Sequence, residues 1–316
     1  MDKNKLPKLS VVICTVENRR DKIVLCLKGL AEQIDKNFEV IIIEGGLGGG
    51  SSAVYKRFAK ILELKSIRTK KQNLPYQRNM GIAGSKSSIV AFIDDDAIPA
   101  NDWTQNIIKS FARNRHAVVL GGKILAVSKD YISKFSEALF DYGPKKKAVS
   151  TVTGVNSAFN LKRLKNLKLR FRKKIFDERN VISGDDTEAC FYITTKGGEI
   201  IYDPNIVVFH HFPTNLFKFI KRQFAYAHAD LVASTKASYR PYSLVEYYLA
   251  PLDRKLTIFL LPLLLTFIVL KKSLTFVLKH GYIWTPMILI REVSYTIGLY
   301  LTLLQKAAGR LYYYEI

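Results

Sequence analysis

Ile89-Val90-Ala91-Phe92-Ile93-Asp94-Asp95-Asp96 is the stretch that decides the fold. Its apolar half has the length and composition of a strand buried on both faces, as parallel sheets require. Three carboxylates follow at the strand's carboxyl end, where open α/β sheets collect their ligands. Alternation along a strand points Asp94 and Asp96 one way and Asp95 the other. Two hard oxygen donors this close suit Mg²⁺ or Mn²⁺, with positions left for water and phosphate oxygens. The competing reading is an acidic turn or a helix cap, and the rest of the chain decides between them.

Upstream, Leu9–Val16 is a run rich in β-branched residues, with Ser10 and Thr15 in it, that suits another buried parallel strand. Ile23, Leu27, Leu30, Ala31 and Ile34 then recur with helical spacing. Phe38–Ile43 predicts a second strand, Ala53–Leu64 a second helix, and Ser87–Ile93 a third strand. This alternation argues for a doubly wound sheet. Downstream, Asn101 or Asp102 begins a helix with Trp103, Ile107, Ile108 and Phe111 on one side, and Val118–Val127 is a further strand.

Lys and Arg outnumber Asp and Glu by 49 to 27 in 316 residues, a net charge of +22. Such a balance implies anionic partners: nucleic acid, an anionic membrane surface or phosphorylated substrates. Cys14, Cys26 and Cys190 show no metal-binding or CxxC spacing, which fits a reducing, cytosolic setting. Leu9–Val16 is too short and too quickly followed by charge to read as a secretory signal.

From Leu256 the character changes. Leu256–Leu270 carries no charge but spans only about 22 Å, short of a ~30 Å hydrocarbon core. Extension to Leu278 would span it, with Lys271 and Lys272 snorkelling. Tyr282–Leu304 is long enough but carries Arg291-Glu292 near its middle, which is costly in lipid unless paired. The tight Lys279-His280-Gly281 link predicts a helical hairpin that enters or crosses the bilayer, lies in its interface, or forms a buried soluble helix pair. Lys162–Lys174, with eight basic residues in thirteen, and Leu216–Tyr226 both interleave large apolar and basic side chains. That pattern suits the surface of an anionic membrane, or else a solvated basic helix face.

Several stretches together resemble the family 2 glycosyltransferases, of the fold usually called GT-A. Leu9–Arg19 resembles the first strand and donor loop of that family. Asn73-Leu74-Pro75-Tyr76-Gln77-Arg78-Asn79-Met80-Gly81 is similar to its Ala-Arg-Asn-x-Gly helix, and Asp94-Asp95-Asp96 to its Asp-x-Asp metal motif. Gly154–Phe159 resembles the acceptor-side strand. Phe176-Asp177-Glu178 and Gly184-Asp185-Asp186-Thr187-Glu188 resemble the segment that bears the catalytic base. Asp203-Pro204 and Phe209-His210-His211 resemble the closing strand and its histidine. The match covers about residues 8–225 in the family's order.

The resemblance implies a metal-dependent, inverting transfer from a nucleoside-diphosphate sugar. Asp96 is the first choice as ligand of Mn²⁺ or Mg²⁺, and Asp94 ligates the ion or reaches the ribose. Asp95, pointing the other way, is donor-side or structural. His210 faces the metal or the diphosphate, or is a hydrogen-bonded core histidine. Asp186 matches the position of the base that takes the acceptor's proton. Asp185 stands where the family usually has Glu, which leaves open which of the pair accepts it. Both would also cap the helix that follows. Thr15, Glu17, Glu44 and Arg78 match donor-side positions, with a surface helix position the other reading of Arg78. Glu44-Gly45-Gly46-Leu47 departs from the family's Asp-Asp-Gly-Ser. Together with Gly48-Gly49-Gly50-Ser51-Ser52 it implies a remodelled base- or ribose-binding loop that is neither a P-loop nor a dinucleotide fingerprint.

The expected architecture is therefore an α/β, GT-A-type doubly wound mixed sheet followed by C-terminal amphipathic and membrane helices. Residues 1–225 would form the glycosyltransferase domain, 226–255 an amphipathic linker, and 256–316 the membrane-associated hairpin. The leading acceptor is a lipid-linked saccharide or phosphate at the cell membrane, with the catalytic domain on the cytoplasmic side. A polysaccharide or protein acceptor stays open, and no nucleic acid is expected. The missing Gln-x-x-Arg-Trp motif implies one sugar per encounter. A nucleotidyltransferase would need a Gly-rich nucleotide loop in Leu9–Arg20, where none stands. A non-catalytic basic protein binding membrane or nucleic acid would leave the two acidic clusters unexplained.

Overall fold

The computed structural model describes residues 7–46, 52–167, 174–178, 184–234 and 254–307. The chain begins with β1 (Leu9–Val16), α1 (Arg20–Ala31), β2 (Phe38–Gly45), α2 (Ser52–Phe58) and β3 (Glu63–Thr69). Then come α3 (Leu74–Gly84), β4 (Ile89–Asp94), β5 (Ala97–Pro99), α4 (Trp103–Arg113) and β6 (Ala117–Ala126). α5 (Tyr131–Leu139), β7 (Lys147–Ala148), β8 (Asn156–Asn160), α6 (Leu161–Asn166), α7 (Asp185–Thr195) and β9 (Glu199–His210) follow. The described part closes with α8 (Leu216–Ser234), α9 (Arg254–His280) and α10 (Thr285–Ala307).

Two compact units emerge. The first lies within 1–127, 140–181 and 185–211, the second within 128–139, 182–184 and 212–316. The boundary expected at 225 falls inside α8, and much of the expected linker, 235–253, lies outside the described residues.

The first unit is an α/β layer structure on one mixed sheet. Among the described residues its strand order is β3-β2-β1-β4-β8-β6-β9-β5, with β7 on β9. β1 to β4 pair in parallel, and β8 runs antiparallel against both β4 and β6. Register then assembles a site. Thr15 pairs with Glu44 and Cys14 with Asp94, so the carboxyl ends of β1, β2 and β4 share one edge. β5 pairs antiparallel with β9, setting Ala97 opposite His210. Beneath this edge Phe92, Phe159 and Phe176 meet edge-on at 5.3 to 5.6 Å, the arrangement aromatic quadrupoles favour.

Two expectations change here. The helix expected over Ala53–Leu64 ends at Phe58, and Glu63–Thr69 is the edge strand β3 instead. Glu63, Lys65 and Arg68 leave it only two apolar residues, Leu64 and Ile67, as befits an edge kept from further pairing. In the basic segment from Lys162, Arg163 and Leu164 turn inward while Lys162 and Lys165 stay exposed. Leu164 is buried, and the Arg163 guanidinium donates to the carbonyls of Phe111, Asn114 and Ala117 at 2.7 to 3.1 Å. It thereby ties the end of α4 to the start of β6; residues 168–173 lie outside the description.

The second unit is helical. Phe135, Phe219, Met287 and Ile288 form its buried core. Gly298 lets α10 approach α8 so closely that a Cβ there would lie 2.9 Å from Ala227. The expected hairpin forms, α9 turning into α10 through Gly281 at φ +97°. Leu270, Leu274 and Leu278 on α9 and Val293, Ile297, Leu301 and Leu304 on α10 are exposed, each set at helical spacing. Among the described residues no helix is long and apolar enough to cross a membrane, and for 254–265 the description is of the backbone alone.

Candidate active site

Asp94, Asp96 and His210 converge. His210 Nε2 stands 3.1 Å from Asp96 Oδ1 and 3.9 Å from Asp94 Oδ2. One ligand atom from each lies within 4.8 Å of the others, so the three could hold a metal ion. Two carboxylate oxygens and one imidazole nitrogen are a donor set that Mn²⁺ accepts readily and Mg²⁺ tolerates. The sequence had separated these groups by more than a hundred positions; β5 pairing with β9 brings them together.

Asp95 and Asp96 have further partners. The Arg19 guanidinium grips Asp95 as a fork, Nε and Nη2 donating at 2.7 and 2.6 Å, and Thr15 Oγ1 donates to Asp95 at 2.5 Å. Arg19 Nη2 also reaches Asp96 Oδ2 at 2.8 Å, and Lys22 Nζ donates to the same oxygen at 3.1 Å. Burial opposes the charge on Asp96, but His210, Arg19 and Lys22 outweigh it and hold the carboxyl far below the usual carboxylate range. Thr15 and Asp95, expected on the donor side, thus fix Arg19 beside Asp96. Neither Arg19 nor Lys22 stands out in the sequence. Arg19 enters only as the last residue of the donor-loop resemblance and is the N-cap of α1, and Lys22 lies in the first turn of that helix.

The second acidic pair divides in two. Asp185 is buried and accepts from Arg78 Nη1 at 2.6 Å. Arg78 is therefore not a surface helix residue: it is buried, and its guanidinium lies over the rings of Phe176 and Phe92 at 5.4 and 5.9 Å. Burial works against its charge, yet Asp185, Asp186 and Asp94 more than offset this and raise it further above the ordinary arginine value. Gly154 makes room, since a Cβ there would sit 1.9 Å from Arg78 Nη2. Burial pushes the Asp185 carboxyl up to about 6 against the pull of Arg78. Asp186, half-buried, accepts the backbone N–H groups of Gly154 and Thr187, both at 2.7 Å. Arg78 thus lies within electrostatic reach of both acidic clusters.

The polar face of α3 wires these parts together. Gln77 donates to the carbonyls of Thr15 and Ile43 at 2.8 and 2.9 Å, tying β1 to β2. Asn79 donates to Phe176 O at 2.8 Å and accepts from its N–H at 3.1 Å. Asn73 caps the helix by accepting from Tyr76 N–H at 2.8 Å. Glu44 is buried, accepts from the Tyr55 hydroxyl at 3.0 Å and lies 3.6 Å from Arg68 Nε. Glu17 is half-buried against Gly46, whose φ of +135° is open to glycine. The Gly-rich run after it, 47–51, lies outside the described residues. Cys14 sits at the site's edge, but burial first, and then Asp94 and Asp185, hold its thiol well above the ordinary range. It is not poised as a nucleophile.

Comparison with known proteins gives this geometry a context. The family model described as Glycosyl transferase family 2 matches residues 10–178. A dolichyl N-acetyl-α-D-glucosaminyl phosphate 3-β-D-2,3-diacetamido-2,3-dideoxy-β-D-glucuronosyltransferase of Methanococcus voltae is 22% identical over 238 residues, 70% of this chain and 72% of that protein. A glucosyl-dolichyl phosphate glucuronosyltransferase of Haloferax volcanii is 26% identical over 120 residues, 37% of this chain and 38% of its own. Among solved structures, a mannosyltransferase of Pyrobaculum calidifontis in complex with GDP-Man and Mn²⁺ superimposes with a TM-score of 0.61 at 18% identity. The superposition covers 94% of this chain and 88% of that one. At that identity the similarity speaks for the fold.

Proposed function

The chain belongs to glycosyl transferase family 2 and is a glycosyltransferase, and from that premise we propose a metal-dependent, inverting transfer to a lipid-linked acceptor. The donor is a nucleoside-diphosphate sugar. Asp96, Asp94 and His210 would hold Mn²⁺ or Mg²⁺, which when bound offsets the negative charge developing on the diphosphate leaving group. The convergence of those three side chains at the carboxyl ends of the sheet is the observation that carries the reading.

In this proposal the chain's own groups do the following. The acceptor hydroxyl attacks the anomeric carbon on the face opposite the diphosphate. Its proton passes to Asp186, the C–O bond to the diphosphate breaks, and a single displacement inverts the centre. Two backbone N–H groups orient the Asp186 carboxylate, while the buried Arg78–Asp185 pair fixes the start of α7 beneath it. Asp185 is therefore a positioning residue. Glu17 and Glu44 line the donor side through the ends of β1 and β2.

For the acceptor we favour a polyprenyl- or dolichyl-linked saccharide or phosphate. Two relatives carry dolichyl phosphate in their names. The exposed apolar stripes of α9 and α10, with Lys271, Lys272 and Lys279 also on α9 and a net charge of +22, support docking on an anionic membrane surface. Three free thiols support a reducing, cytoplasmic side.

The test supplies UDP-, GDP- and dTDP-sugars with Mn²⁺ and dolichyl or polyprenyl phosphates and saccharides in anionic vesicles. Sugar should appear on lipid with inverted anomeric configuration. EDTA should stop transfer, Mn²⁺ restore it, and Asp96→Ala abolish it. Transfer undiminished in EDTA, or a retained anomer, would refute the mechanism.

A further inference from the structure

Asp96 is engaged by three nitrogen-bearing side chains at once. One of its oxygens faces His210, and the other accepts from both Arg19 and Lys22. A divalent ion arriving at this carboxylate meets two positive charges already within hydrogen-bond distance. Repulsion between like charges a few ångströms apart weakens the ion's binding. The two cations are not alike. Arg19 is anchored, because its Nε and Nη2 also fork onto Asp95. It can yield the Asp96 oxygen without leaving its place. Lys22 is held by Asp96 at the end of a flexible stem, with its side chain 47% exposed.

We propose that Arg19 and Lys22 form a cationic guard on Asp96, which weakens divalent-ion binding until a diphosphate group arrives to take up their charge. Ion and donor then load together. The guard rests on the metal-dependent reading above and adds to it an order: metal alone binds weakly, and metal with diphosphate binds well. Coupling of this kind is reciprocal, so the ion must tighten diphosphate binding by the factor by which the diphosphate tightens the ion.

Mn²⁺ binding, followed by loss of the free-ion EPR signal, tests this without any turnover. Lys22→Gln should bind Mn²⁺ alone about tenfold more tightly than the wild type, as removal of one adjacent charge requires. Arg19→Gln should do so as well, and Lys22→Gln keeps the test decisive if loss of the Asp95 fork unfolds that variant. UDP and GDP serve as diphosphate probes, with their own Mn²⁺ complexes titrated separately. Either should tighten Mn²⁺ binding to the wild type several-fold more than to Lys22→Gln. Mn²⁺ binding that Asp96→Ala removes but Lys22→Gln leaves at the wild-type affinity overturns the guard and spares the metal-dependent reading. No Asp96-dependent Mn²⁺ binding in any of the proteins overturns both.

Discussion

Asp185 and Asp186 are neighbours in sequence with opposite surroundings, and two substitutions should separate them. Asp186→Asn should lower kcat by about 10² to 10⁴, the usual worth of a positioned base, with donor affinity and unfolding midpoint near wild type. Asp185→Asn should instead move the urea-unfolding midpoint, because it replaces the buried partner of the Arg78 guanidinium. The pH dependence has a definite sign. Burial raises the folded-state pKa of Asp185 to about 6, so its protonated form favours the fold. Its contribution is complete below its ordinary value of about 4 and is lost as pH rises through about 6. The stability of the wild type minus that of Asp185→Asn should therefore fall between about pH 4 and 6; a rise would mean that Arg78 dominates instead. The acidic residues were legible one by one, since carboxylates at strand ends announce themselves. Their partners were not. Arg78 reads as a donor-side or surface arginine until the missing side chain of Gly154 admits it to the interior.

Element packing decides where those residues point. α3 lies so close to β1 that a Cβ on Gly81 would meet Val12 Cγ1 at 2.3 Å. Gly81→Ala should push the helix outward and destabilise the fold by about 1 to 3 kcal/mol, as overpacking does. Since α3 carries Gln77, Arg78 and Asn79, activity should fall more than stability alone explains, measured as kcat well below the unfolding midpoint. β1, β2 and β4 were plain from stretches dominated by Val, Ile, Leu and Phe, as strands buried on both faces require; Glu39, inside β2, is buried and accepts from Ser10 Oγ at 2.7 Å. β3 was hidden for the converse reason. An edge strand of alternating burial, with Lys65 and Arg68 on it, looks like a charged helix in one dimension.

Across the whole molecule, charge and apolar exposure combine. Binding to anionic vesicles should weaken steeply with salt, since each basic residue near such a surface contributes about 1 kcal/mol. Leu274→Glu with Leu278→Glu should abolish flotation with those vesicles, because each buried leucine contributes about 1.5 to 3 kcal/mol and both are exposed on α9. Flotation unchanged by these charges would assign the apolar stripe to another partner. The hairpin was legible as two apolar runs around a glycine link.

The sequence by itself determined the sheet class, the acidic clusters and the order of the motifs, because hydrophobic period and strand-end carboxylates are local properties of the chain. The tertiary structure alone decided that His210 joins Asp94 and Asp96, that Arg19 and Lys22 occupy Asp96, and that Arg78 is spent on Asp185. Those pairings depend on strand register and on two glycines that let elements touch. Contacts between residues tens to more than a hundred positions apart leave no periodic trace in one dimension.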